Sequence, residues 1–241
     1  DGAEQLSIRK VIQAGFSPPY IKSLQPAISR EANRVVESIA GKKVIDLVSE
    51  VAGIVPAAVL SWMLGGDSLG TEVVNRWTNV IMSSPRRSTN QRRGNGMLNV
   101  YRRLVKLGRR PTALETELRQ CEQFIESLLR KSLDERSGGW MIELLCESYH
   151  NGSISMAEMI DLCMTFVVAA SETTTSSIGT ATKILACDHE LQTVLRSDES
   201  LIDSFIEEVL RYDSPTQRRP RFVVKDTQFN EVIFREGDRV I

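Results

Sequence analysis

Histidine is almost missing from this sequence: His150 and His189 are the only two in 241 residues. Neither has a metal-ligating companion at helical spacing, so no metal site built from protein ligands is expected. Cysteine is sparse as well. Cys121, Cys146, Cys163 and Cys187 are widely separated and form no C-x-x-C pair. They read as reduced, mostly buried thiols of a cytoplasmic protein, which excludes a disulfide framework. A basic excess is also lacking. Thirty Lys and Arg stand against 31 Asp and Glu, a net charge of −1, and no nucleic-acid partner is expected. No apolar run approaches ~18 residues free of charge, so no membrane span is expected. There is no signal-peptide pattern either. The chain opens at Asp1 in mid-sequence fashion, and an N-terminal part is expected to precede it.

What is present is helix. Hydrophobic residues make up 41% of the chain, enough for a packed core. Helices are expected at Asp1–Phe16, at Tyr20–Ile39 after the Ser17-Pro18-Pro19 break, and from Asp46 through Met63. Gly41 and Gly65-Gly66 serve as stops. A further helix is expected at Thr71–Met82, then a solvated basic loop over Ser83–Gly96. Helices at Leu98–Leu107, Pro111–Leu133 and Trp140–Tyr149 complete this part. Towards the end come helices around His189–Leu195 and Ser200–Tyr212, then strand character at Arg221-Phe-Val-Val and Val232-Ile-Phe. The expected class is a mainly α single unit, residues 1–241, with a small β element near the C-terminus.

The most informative stretch is Ser155–Ala186, SMAEMIDLCMTFVVAASETTTSSIGTATKILA. Ser155 and Glu158 form a capping-box signature. No proline follows for some thirty residues, so one helix of roughly 45 Å is predicted. From Met159 to Ala170 the side chains are nearly all apolar, which predicts burial on all sides. Glu172, Thr173, Thr174 and Thr175 then break the pattern, a place where function or strain is expected. Ala169 and Thr173 share a face, as do Ala170 and Thr174. A threonine hydroxyl there can bond back to the carbonyl four residues earlier and loosen the helix. Glu172 stands beside this gap as a possible proton source. The alternative is a polar patch facing water or a partner helix.

A second stretch is Phe205–Pro215, FIEEVLRYDSP. Glu208 and Arg211 are three apart and can pair; an ordinary surface salt bridge is the common outcome of that spacing. Arg218, Arg219 and Arg221 follow.

AASETTTSSIG, EEVLRYDSP and RPRFVVKD, in this order, resemble the cytochrome P-450 haem-thiolate monooxygenases of the soluble bacterial type. DGAEQLSIRKVIQAGFSP is similar to the family segment that leads into one of its helices. The resemblance covers essentially the whole chain and implies the central helical part of the P-450 fold. It implies haem b as cofactor, with Ala169 and Ala170 beside its distal face and Arg9 and Arg221 on its propionates. Thr173 and Glu172 would be catalytic, the first holding oxygen and its waters, the second relaying protons. Glu208 and Arg211 would be structural, bracing the core. Thr71–Leu107 would match the substrate lid. The implied partners are a small organic substrate and an electron donor, a ferredoxin or a flavoprotein. Gln5 and Ser7 stand where the family commonly has a histidine and an arginine, and Ala170 where it commonly has glycine. None of the four cysteines sits in the glycine-rich haem-ligand signature, so the iron ligand is not expected from this chain, which looks like an internal fragment. Two rival readings are a haem-free relative acting as an auxiliary or scaffold protein, and an unrelated helical interaction domain.

Overall fold

A computed structural model describes residues 3–65, 71–82, 112–135 and 138–241. Two compact units result, Asp1–Thr175 and Ser176–Ile241. The expected helices at Leu98–Leu107 and the basic loop at Ser83–Gly96 lie outside the described residues.

The first unit is helical. Helix α1 spans Ala3–Gly15 and α2 spans Pro18–Ile39. Pro18 and Pro19 occupy the first turn of α2, where their missing N–H groups cost no helical bond. The helix stops at Ala40, and Gly41 takes φ +79°, as a C-terminal glycine does. The helix expected from Asp46 forms in two pieces. Asp46 does start it: its Oδ1 accepts the N–H groups of Val48 and Ser49 at 2.9 and 3.0 Å. Val48–Ala52 is then π-helical, closed by the Gly53 N–H on the Val48 carbonyl at 2.9 Å. Helix α3, Ile54–Leu64, follows. The physical reason lies at Pro56. It has no N–H for the Ala52 carbonyl, and its ring would clash there in a continuous α-helix.

Helices α4 (Thr71–Met82), α5 (Ala113–Glu135), α6 (Trp140–His150) and α7 (Met156–Cys187) come next. Thr112 and Glu115 exchange bonds across the start of α5, with Thr112 N–H on Glu115 Oε2 at 2.9 Å and Glu115 N–H on Thr112 Oγ1 at 3.2 Å. The core lies where these helices meet. Leu60 and Leu64 of α3, Val74 of α4, Ile125 and Leu129 of α5, Ile142 and Leu145 of α6, and Met159 and Val167 of α7 are all essentially inaccessible to water. Gly139, just before α6, approaches the end of α3 so closely that a Cβ there would lie 2.2 Å from the Trp62 carbonyl oxygen.

The second unit holds the last turns of α7, then α8 (His189–Ser197), a 3-10 turn at Glu199–Leu201 and α9 (Ile202–Tyr212). Asp188 caps α8 through Oδ1, which accepts the Leu191 N–H at 2.9 Å. The β element is built from four short strands where the sequence suggests two. Strand β1 (Arg221–Phe222) pairs antiparallel with β4 (Arg239–Val240), Arg221 opposite Val240. Strands β2 (Thr227–Phe229) and β3 (Val232–Phe234) form a hairpin with Gln228 opposite Ile233. Its two-residue turn places Asn230 at φ +50°, a conformation asparagine tolerates better than most residues.

Candidate functional site

The candidate site is built on α7. Its start is fixed by the expected capping box: Ser155 N–H and Oγ–H both donate to Glu158 Oε2 at 2.7 Å, and Glu158 N–H donates to Ser155 Oγ at 3.3 Å. From there the helix runs unbroken through Ala169–Thr175 to Cys187.

Its apolar stretch is not buried on all sides, contrary to the sequence-based expectation. Met159, Leu162, Cys163, Met164, Phe166, Val167 and Val168 are buried, but Asp161, Thr165, Ala169 and Glu172 are exposed. These four recur at spacings of four, four and three, so they form one stripe along the helix. Asp161 and Thr165 are polar and Ala169 is small, so that face carries little hydrocarbon to bury. Near the start of the stripe, desolvation by neighbouring bulk, helped by the negative charge of Glu158, raises the Asp161 carboxyl above its usual range.

At the polar turn, Thr173 is half-buried and its Oγ–H donates to the Ala169 carbonyl at 2.9 Å. The predicted back-bond is therefore present, and the helix nonetheless stays closed here. Ala170 is half-buried and packs against the core. Glu172 is exposed; it sits on the open stripe and not on the core face. Thr175 stands on the inner side, its Cγ2 and Oγ1 each 4.0 Å from the position of a Cβ on Gly53.

Arg9 lies exposed on α1. In the second unit, Arg221 is exposed on β1 and donates Nη1–H to the Pro220 carbonyl at 3.1 Å. Neither guanidinium forms an ion pair with a described residue. Both are thus open to an anionic group, and Ala169 presents only a methyl on the open stripe. Taken one by one, an exposed guanidinium suits a propionate and a small side chain suits the edge of a flat ring, the chemistry that the resemblance asks of these residues. The cysteines do not fit as the axial ligand of the implied haem. Cys121, Cys146 and Cys163 are buried in helices. Cys121 Sγ lies 3.3 Å from Met164 Sδ. Burial pushes the Cys163 thiol up to about 12, and that of Cys121 still further. Cys187 is exposed, at the last residue of α7.

Glu208 and Arg211 do pair on α9. Arg211 Nε–H reaches Glu208 Oε2 at 2.7 Å and Nη2–H reaches Oε1 at 2.6 Å, a two-pronged contact. The Arg211 hydrogen bond holds the Glu208 carboxyl below its usual range. The side chains are 69% (Arg211) and 60% (Glu208) exposed. Within its unit the pair lies on the surface of α9, whose buried face runs through Val209.

One residue had no signal in the sequence. Thr78 of α4 is buried, and its hydroxyl lies 3.2 Å from the Val167 carbonyl of α7, 89 residues away. Only the fold brings them together.

A family model described as Cytochrome P450 matches residues 1–241. The chain is 25% identical over 242 residues to Cytochrome P450 107B1 of Saccharopolyspora erythraea, covering 100% of this chain and 54% of that protein. It is 24% identical over 244 residues to Vitamin D(3) 25-hydroxylase of Pseudonocardia autotrophica, with 100% and 54% covered. Among solved structures it resembles P450BioI in complex with hexadec-9Z-enoic acid ligated acyl carrier protein, with a TM-score of 0.81 at 21% identity. That likeness covers 99% of this chain and 57% of the other. The chain spans about half the length of the curated relatives it matches. Among the described residues no helix is long and apolar enough to cross a membrane.

Proposed function

The chain belongs to the cytochrome P450 family, and from that premise we propose that it carries the oxygen-side helix of a haem-dependent monooxygenase. Such an oxidoreductase inserts one atom of dioxygen into a small organic substrate. The proposal takes residues 1–241 as part of a single P450 domain working in the cytoplasm, with electrons from a ferredoxin or a flavoprotein. Haem b, when bound, supplies the iron chemistry of oxygen activation. Arg9 and Arg221 would hold its propionates through charge-assisted hydrogen bonds. Ala169 and Ala170 would leave room beside its face. None of the four cysteines supplies the axial thiolate in this reading.

Two groups then handle protons. The Thr173 hydroxyl, which now donates to the Ala169 carbonyl, would rotate to hold oxygen and water on the open side of α7. The Ala169 carbonyl keeps the backbone N–H of residue 173, so the rotation leaves no buried acceptor empty. Glu172 is exposed one residue away and would exchange protons with solvent and pass them along the bound water. Glu208 and Arg211 keep a structural role on α9.

The observation that carries the reading is one helical turn. Exposed Ala169 and Glu172 flank half-buried Thr173, in a chain matched from end to end by the family. The test is Thr173→Ala in the intact, haem-loaded protein. Folding, haem binding and substrate binding should survive, since alanine is the better helix former. Product formed per reducing equivalent should fall, and hydrogen peroxide should rise in its place. Equal coupling in the two proteins refutes the role of Thr173. Failure of the intact wild type to bind haem transfers the chain to the haem-free auxiliary reading.

A further inference from the structure

Thr78 has one proton and two acceptors. Its Oγ lies 2.9 Å from the Val74 carbonyl, one turn back on α4, and 3.2 Å from the Val167 carbonyl on α7. A hydroxyl donates once, so it bonds either within its own helix or across to α7. Both settings are dry: Thr78 is 7% exposed, and Val74 and Val167 are fully buried.

The target on α7 is well chosen. The Val167 carbonyl already lies opposite the N–H of Ser171, one turn on, and Ser171 is buried as well. Two residues later the Ala169 carbonyl takes the Thr173 hydroxyl. Two carbonyls of α7 can therefore take a hydroxyl beyond their helical donor, Val167 from Thr78 and Ala169 from Thr173. The bond from Thr78 ties this part of the α7 backbone to a second helix, α4. On its other side α4 is held to α5, by the Arg76–Glu117 ion pair at 2.7 Å and by Trp77 against Phe124 with ring centroids 5.1 Å apart.

We propose that Thr78 is a latch between α4 and α7, whose hydroxyl switches from Val74 to Val167 and thereby positions the Ala169–Thr173 turn. Release orphans no group. The Thr78 hydroxyl falls back on Val74, and the Val167 carbonyl keeps its helical donor. A latch of that kind opens with a small shift of α4, where a fully buried unpaired hydroxyl would forbid it. Thr78 is a positioning residue: it acts on the turn through the α7 backbone. The consequence for oxygen use rests on the monooxygenase reading; the latch itself does not.

The test compares Thr78→Val, which keeps the shape and removes the hydroxyl, with Thr78→Ser, which keeps the hydroxyl. Backbone amide exchange over residues 167–175 of the intact protein is the first readout. Thr78→Val should speed exchange about fivefold, the factor one ordinary hydrogen bond contributes, and Thr78→Ser should exchange as wild type does. Product per reducing equivalent is the second readout. It should fall in Thr78→Val, with KM little changed, and return in Thr78→Ser. Unchanged exchange in folded Thr78→Val overturns the latch, whether or not the protein oxygenates anything. Faster exchange in both variants assigns the effect to lost packing and also overturns it. Altered exchange with unaltered coupling overturns the positioning role. Where Thr78→Val does not fold, Thr78→Cys, of similar bulk with a weak donor, takes its place under the same outcomes.

Discussion

The same chemical change, glycine to alanine, should move stability in opposite directions at two positions of this chain. At Gly139 the backbone is ordinary, with φ −70° and ψ 157°, so any residue could adopt it. The obstacle is space. An added Cβ would sit 2.2 Å from the Trp62 carbonyl oxygen, 2.5 Å from that of Met63 and 2.6 Å from the Met63 carbonyl carbon. These are backbone atoms at the end of α3 and cannot rotate away. The start of α6 must retreat by about 1 Å, which loosens Met141, Ile142 and Leu145 from a close-packed core. Overpacking of this kind costs 1–3 kcal/mol, and the upper end, ~3 kcal/mol, is expected here. Gly179 lies inside α7 with nothing within 4 Å of its added Cβ. There alanine removes backbone freedom from the unfolded chain and should stabilise by ~1 kcal/mol. Urea unfolding of the purified chain, followed by far-ultraviolet circular dichroism, measures both. A loss below ~1 kcal/mol at Gly139, or any loss at Gly179, refutes the packing argument at that position.

Two further outcomes are expected. With a maleimide under native conditions, Cys187 alone among the four cysteines should react, because the other three are buried and burial holds the Cys163 thiol at a pKa of about 12; mass spectrometry should count one adduct before unfolding and four after. Glu208→Gln should leave the unfolding midpoint at neutral pH nearly unchanged, since both partners are exposed. The Glu208 carboxyl titrates lower in the fold than in the unfolded chain, so any support the pair gives is present above the ordinary Glu pKa of about 4.3 and is lost as pH falls through the lowered value. The variant should flatten that acid limb, and a large loss at neutral pH would show that the pair is buried in the protein tested.

Local signals in the sequence carried well. Ser155 with Glu158, Gly41 after α2, and Glu208 with Arg211 were all legible, because each joins residues at most four apart and depends on side-chain chemistry alone. The break at Gly53 was also written locally, in Pro56 and its missing N–H, but the run of valines and isoleucines around it reads as one helix. Burial was harder. Ala169 and Thr165 look compatible with a core, yet they share a face with Asp161 and Glu172, and that shared angle decides their exposure. The pairing of Glu208 with Arg211 follows from spacing, whereas its exposure depends on which face of α9 Val209 directs inward. Strands of two or three residues, such as Arg239–Val240, have too few alternations to register as a pattern. Thr78 and Val167 are joined only by tertiary structure, so no reading along the chain could pair them.

The two faces of α7 have a consequence for how such a chain can change over generations. Substitutions at Asp161, Thr165, Ala169 and Glu172 touch the open side, while Met159, Cys163 and Val167 hold the helix to its neighbours. Effects at sites without shared partners add nearly independently. Asp161 and Thr165 can therefore drift, be recombined or be randomised in a library while the fold beneath them is inherited intact, whereas Ala169 and Glu172 answer to the function proposed for them. Thr78 is the exception, because its bond to Val167 ties the inner face to the turn that bears Thr173. A lineage that rewrites Asp161 and Thr165 freely should still be constrained at that hydroxyl.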